Sequence, residues 1–212
     1  MGIGILEKLF GSHARVRLLK LFYLNLEHVF SSREIAKRTH TSIAATRKEI
    51  RLLSEVGFVE PASAFIEIAR EGNKSTGAKK QKKMRIAGYT INKSFQLFNE
   101  LRDLVLTVAP LSKHELVSRL RRVGKVKLVV LSGIFLKRSD SRIDLLIVGD
   151  GLKKGQLDRT LHMVEAEIGK ELSYAILDTA DFKYRLGMND KFVRDVFDYP
   201  HEMLIDKIGV VR

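Results

Sequence analysis

FSSREIAKRTHTSIAATRKEIRLLSEVGF, residues 30–58, is the stretch on which the reading of this chain turns. Ser31 and Glu34 stand at capping-box spacing before IAKRT, which predicts a short helix whose polar face is Arg33, Lys37 and Arg38. A turn of three or four residues follows. From Ser42, SIAATRKEIRLLSEVG reads as a longer helix in which Thr46, Ile50 and Leu53 recur at i, i+4 and i+7 and face inward, with Gly57 as its stop. Its opposite face carries Ala44, Ala45, Arg47, Lys48 and Arg51.

Upstream, HARVRLLKLFYLN (His13–Asn25) sets Val16, Leu18, Leu19, Phe22 and Tyr23 around one broad stripe, and Ser12 is available as N-cap, so a further helix precedes the pair. Downstream, FVEPASAFIEIA and KKMRIAGYTIN are two β-prone runs joined by the polar REGNKSTGAKKQ, a pattern that predicts a long hairpin. Arg70, Lys74, Lys79, Lys80, Lys82, Lys83 and Arg85 face only Glu71 between positions 70 and 85, so the hairpin tip carries +6. A short helix, a tight turn and a longer helix with small and basic residues at its start have the organisation of a helix-turn-helix, whose second helix enters the major groove. Ala44 and Ala45 permit close approach to base edges, and Arg47 and Lys48 are the candidates to read them. Thr41, Ser42 and Arg51 are candidates for phosphate contacts. Lys74, Lys79, Lys80, Lys82, Lys83 and Arg85 would hold the backbone without regard to sequence.

Through GSHARVRLLKLF, FSSREIAKRT and the EVGFVE passage into the hairpin, Leu9–Asn92 resembles the winged-helix family of DNA-binding domains. The resemblance covers about two fifths of the chain and implies a DNA-binding domain over residues 1–93, with double-stranded DNA as partner.

Between Ser94 and Ala109, Leu97, Phe98, Leu101, Leu104, Val105 and Val108 repeat at helical spacing while Phe95 and Leu106 widen the apolar surface, so a connecting helix is expected over 94–110, ended by Pro110. Its breadth makes it the expected place for two copies to meet as a homodimer. Ser112 and Glu115 start another helix that runs to Val123 and closes at Gly124. Lys125–Ser132, Arg142–Val148, Leu157–Ile168, Leu172–Leu177, Thr179–Leu186, Asp190–Phe197 and Glu202–Asp206 then read as strand, strand, helix, strand, helix, helix, strand. The expected fold class is α+β with two domains, the second a mixed-sheet α/β domain over 111–212.

The strand ending in VVLSG, the turn after it and SRIDLLIVGD, closed by YAILDTADFKYRL and PHEMLIDK, are similar to the minimal nucleotidyltransferase family. In active members of that family a Gly-Ser pair binds triphosphate, and two carboxylates two residues apart on the next strand join a third to hold two magnesium ions. Such spacing puts both on one side of a strand, roughly 7 Å apart, within reach of ions about 4 Å apart. This chain keeps Gly133, but Ile134 replaces the serine, Arg142 takes the place of the first carboxylate, Asp144 alone remains of the pair, and LSYAIL offers no third. Asp140 is too far along an extended chain to substitute, and Asp178 reads as a helix cap. The expectation is a degenerate domain with no catalytic residues, no metal and no cofactor. Gly133, Lys137, Arg138, Arg142 and Asp144 are its candidate site for an anionic small molecule or nucleotide effector.

The whole chain has 212 residues, 38 Lys and Arg against 25 Asp and Glu, a net charge of +13 and 45% hydrophobic residues, enough to bury a core in one large domain or two small ones. A polyanion is the first partner such charge suggests, and the residues up to Pro110, with 19 basic and 10 acidic, hold +9 of it. No Cys is present, which excludes disulfides, thiolate zinc sites and cysteine nucleophiles. The six histidines, at 13, 28, 40, 114, 162 and 201, have no metal-ligand spacing, and the phosphate-cradling GxxxxGK[ST], the nucleophile GxSxG and the dinucleotide GxGxxG are all missing. The uncharged stretch Leu128–Leu136 is too short to cross a bilayer, and MGIGILEKLF lacks the features of a signal peptide, so a cytoplasmic protein with no membrane partner is expected. Together these features favour a transcriptional regulator. A nucleotidyltransferase with a nucleic-acid- or partner-binding winged helix, and a protein-binding scaffold, are the alternatives.

Overall fold

A computed structural model describes residues 5–69, 81–107, 113–136, 138 and 140–210, with the side chains of 66–69 and 81–84 left aside. It is α+β with two separate sheets, and the chain divides into two compact units, Met1–Ala109 with Ala166–Lys170, and Pro110–Glu165 with Glu171–Arg212.

The first unit begins with α1 (Ile5–Phe10), which the periodicity did not suggest, and continues with α2 (His13–Tyr23), α3 (Ser32–Thr39) and α4 (Ile43–Glu55). The caps expected at Ser12 and Ser31 are made, accepting from the backbone N–H groups of Arg15 and Glu34, and Ser42, read as a phosphate contact, caps α4 by accepting from Ala45 N–H. Capping is one-sided at α3, because the Glu34 carboxylate turns to Arg38 and His28 (3.2 Å each). Two long strands follow, β1 (Val59–Ala69) and β2 (Gln81–Ile91), antiparallel from Val59↔Ile91 to Ala69↔Gln81. A third, vestigial strand is a single residue. Phe30 exchanges two hydrogen bonds with Tyr89, both 2.9 Å, and so lies against β2. Gly88 permits that approach, since a Cβ there would fall on the Phe30 carbonyl.

Aromatic rings fill the core where these elements meet. Phe22, Phe30 and Phe58 are fully buried, with edge-on contacts at 5.7 Å between Phe22 and Phe30 and 6.3 Å between Phe22 and Phe58. Each such burial contributes about 1.5–3 kcal/mol. The connecting helix α5 (Phe98–Thr107) starts later than the apolar pattern predicts, because Asn92 holds the preceding residues in a turn, accepting from Ser94 N–H through its side chain and from Phe95 N–H through its carbonyl. Phe95, Phe98, Leu101 and Leu106 pack on this same core, while Leu97 and Leu104 remain exposed. The expected stop at Pro110 and cap at Ser112 lie outside the described residues.

In the second unit α6 (Lys113–Arg121) leads to β3 (Lys125–Leu131), a short 3-10 turn (Gly133–Leu136), β4 (Leu145–Asp150), α7 (Lys154–Ile168), β5 (Tyr174–Leu177), α8 (Thr179–Gly187), α9 (Lys191–Asp198) and β6 (Glu202–Asp206). This is the expected order. The sheet runs β5-β4-β3-β6, with β4 and β5 parallel and the other pairs antiparallel, so it is mixed. Leu128, Val130, Leu146 and Val148 pack with Phe182 of α8 and with Val193 and Val196 of α9. The alternate residues Val129, Leu131, Leu145 and Ile147 are also fully buried, so both faces are covered.

Candidate nucleic-acid interface

Three residues, His40, Thr41 and Ser42, join α3 to α4, and hydroxyl groups set their path. His40 takes the left-handed conformation (φ 49°), and Thr41 N–H donates to Ala36 O at 3.1 Å. Thr39 Oγ1 donates to Ile35 O (2.7 Å) and therefore accepts from Thr41 Oγ1 (2.8 Å), which in turn accepts from Thr46 Oγ1 (2.8 Å). One hydroxyl proton per threonine fixes that direction. The chain ties the last turn of α3 to the first turn of α4, and since the Thr41 hydroxyl donates to Thr39 and its N–H to Ala36 O, Thr41 has no donor left for the expected phosphate contact.

A buried carboxylate anchors the inner side of α4. Glu49 accepts from Ser12 Oγ (2.6 Å) and from Arg15 Nε (2.9 Å), and Arg15 also donates to Phe10 O (3.0 Å). An acidic side chain that is only 6% exposed is satisfied here by two partners from the start of α2. No role for Glu49 is expected from the sequence. Its partners are more than thirty residues away in sequence, and no local signal connects them.

The outer side of α4 is as expected. Ser42, Ala44, Arg47, Lys48 and Arg51 are exposed and Ala45 is half-buried. Arg47 and Lys48 have no ion-pair or hydrogen-bond partner among the described residues, whereas Arg51 pairs with Glu55 at 2.9 Å. Ser42 is committed to capping through its hydroxyl. A shallow groove lined by Ser32, Arg47, Arg51, Pro61 and Tyr89 runs between α4 and the hairpin. Arg85 is exposed on β2, at the register of Phe65, which is itself exposed. Lys82 and Lys83 lie within β2 and pair with Ile68 and Glu67 in the ladder, while Lys74, Lys79 and Lys80 lie outside the described residues.

The second candidate site, around Gly133, is held together by backbone. Gly133 has φ 53°, and a Cβ there would fall on the Asp144 carboxylate. Asp144 Oδ1 accepts from Ile134 N–H (2.8 Å) and Oδ2 from Ser173 N–H (2.9 Å), so this carboxylate fastens the turn after β3 to the start of β5. Ser132, fully inside, donates to Ile143 O, and Ser141 accepts from Gly133 N–H at 3.1 Å. The strand expected from Arg142 begins only at Leu145, although Asp144 already accepts from Ser132 N–H (2.9 Å) and donates to Ser173 O (2.6 Å) through its backbone. Nor do the expected cations converge. Arg142 pairs with Asp195 (2.6 Å) and lies over the Phe192 ring (5.4 Å), and Arg138 pairs with Asp140 (2.7 Å), each raising the other's preference for its charged form in that second pair. Lys137 lies outside the described residues. Asp178, read as a cap, accepts from Asp181 N–H at the start of α8.

No protein-family model matches the chain, and neither a curated protein nor a solved structure shows significant similarity to it.

Proposed function

We propose that the chain is a winged helix-turn-helix transcriptional regulator that binds double-stranded DNA, with α4 as its recognition helix and the β1–β2 hairpin as its wing. One observation carries the reading: α4 is fixed from within by Glu49 and the threonine chain, yet presents Arg47 and Lys48 to solvent without partners among the described residues, beside two small residues. A cation left unneutralised next to alanines suits base edges, where arginine donates in pairs to guanine. Leu104 of α5 and Leu97 in the turn just before it, both exposed, support a twofold homodimer that reads two half-sites.

The second unit is proposed to be a nucleotidyltransferase-like domain that has lost its chemistry and serves dimerisation or the sensing of an anionic effector. Support comes from Asp144, whose two oxygens already accept backbone N–H groups, and from Arg142 in place of an acid. Selection of duplexes from a random pool by the full chain, followed by sequencing, tests the regulator. A recurrent motif with twofold symmetry is the expected result, and recovery of the pool unchanged would overturn it.

A further inference from the structure

The sheet of the second unit has two ends, and only one of them is the turn around Gly133. At the other, Lys125 is paired in register with Asp150, six residues along β3 from the Leu131↔Leu145 pair, or roughly 20 Å away. Several chain segments meet there. Val123 O accepts from Lys153 N–H (2.9 Å), which brings the end of α6 to the start of α7, and Lys127 O accepts from Lys207 N–H (2.8 Å), which adds the residue after β6.

Six cations, Arg121, Arg122, Lys125, Lys153, Lys154 and Lys207, are gathered and exposed at this end, and none has an ion-pair or hydrogen-bond partner for its side chain among the described residues. Their gathering sets them apart, since Lys183 and Lys191 are likewise exposed and unpaired among the described residues but lie elsewhere in the unit. Arg119, Arg138, Arg142, Arg185 and Arg194 each pair with a carboxylate, and Arg159 donates to Gly155 O. Arg121 and Arg122 are the exceptions among the described arginines of this unit. The nearby acids are occupied: Asp150 binds Lys127 (2.7 Å) and accepts from Thr179 N–H (3.1 Å), and Asp206 accepts from the N–H groups of residues 208–210. Lys153 and Lys154 also stand at the N-terminus of the 15-residue α7, whose first turn has no acid. Helix dipoles disfavour cations there and favour an anion.

We propose that this end of the sheet is a second contact surface for nucleic acid, which grips the phosphate backbone of duplex DNA without reading sequence. This rests on the reading that the chain binds DNA. Extended polyanions fit better than a single phosphate, because the cations are spread over four segments of open surface, none of them buried to form an enclosed cradle. Duplex DNA, with a charge per about 1.7 Å of axis, meets several of them at once.

Binding of the full chain to its selected duplex and to a random duplex, measured across a salt series, tests the proposal. Each phosphate contact contributes about 0.9 to the slope of log affinity against log salt. Arg121→Gln/Arg122→Gln and, independently, Lys153→Gln/Lys154→Gln are expected to lower that slope by about 2 on both duplexes, with an unchanged melting temperature. Lys183→Gln/Lys191→Gln removes the same charge from exposed positions elsewhere in the unit and is expected to leave the slope as it was. Equal slope changes in all three double variants, or none in the first two, overturn the proposal while Arg47-dependent binding still stands. Absence of duplex binding by the unsubstituted chain overturns both readings. Tighter binding to phosphatidylserine vesicles than to DNA, lost in the first two variants, assigns the surface to membranes and overturns the nucleic-acid occupant.

Discussion

Asp144 shows what one side chain contributes when its neighbours fix its task. Each of its oxygens takes a different backbone N–H, from Ile134 and from Ser173, so it links two segments that are distant in sequence. Asp144→Asn keeps the shape but replaces one acceptor with a donor aimed at an N–H. A loss of about 1–3 kcal/mol is expected, visible as a lower urea midpoint at unchanged slope. Arg47 has the opposite character: it is exposed and lacks a partner among the described residues, so Arg47→Ala is expected to leave stability within about 0.5 kcal/mol of the unsubstituted chain. Its effect belongs to binding.

At the scale of elements, α2 holds α4 through Ser12, Arg15 and Glu49, and α5 through Tyr23, whose hydroxyl donates to Phe98 O at 2.9 Å. Removing the buried acceptor by Glu49→Ala is expected to cost about 1–3 kcal/mol, with Glu49→Gln costing less because it can still accept from Ser12. Chemical denaturation of the two variants gives the comparison. Burial pushes the Tyr23 hydroxyl up to about 12 from its ordinary value near 10. A raised value in the folded state means that stability is intact below pH 10 and falls as the pH rises from about 10 through about 12, since the unfolded chain gives up this proton first. Tyr23→Phe is expected to remove that part of the alkaline loss in thermal melts across this range.

Elements were also the scale at which the sequence was most legible. Serine caps, the periodicity of α2 and α4, and the alternation of helical and β-prone runs after Lys125 led to the observed order. What escaped depended on contacts made at a distance. The six-residue α1 is too short for a periodic signal, though it buries Leu6. Asn92 delayed α5, and Ser141 and the Asp144 side chain bind the Gly133 turn just before the point where β4 begins. At the candidate interface, the exposed face of α4 was readable because it follows from helical spacing. Occupation of the Thr41 hydroxyl was not, because it depends on where Thr39 and Thr46 are brought by the turn.

For the whole molecule, charge and two exposed leucines suggest partners. Leu97, just before α5, and Leu104 within it are 55% and 43% exposed while Phe98, Leu101, Val105 and Leu106 of the same helix pack into a core, so a dimer is expected in sedimentation at micromolar concentration, at twice the 24.1 kDa of the chain. Leu104→Glu is expected to give the single-chain mass, and a single-chain mass without the substitution would contradict the dimer. Among the described residues no helix is long and apolar enough to cross a membrane. The account stands or falls on DNA recognition by α4. Its most direct test is fluorescence anisotropy at one fixed salt concentration, comparing the selected duplex with a scrambled one for the unsubstituted chain and for Arg47→Ala. The account predicts that Arg47→Ala weakens binding to the selected duplex by about 1–3 kcal/mol and leaves the scrambled duplex nearly unchanged, so that discrimination collapses. Equal affinities of the unsubstituted chain for both duplexes, or a selected-site affinity indifferent to Arg47, would contradict it.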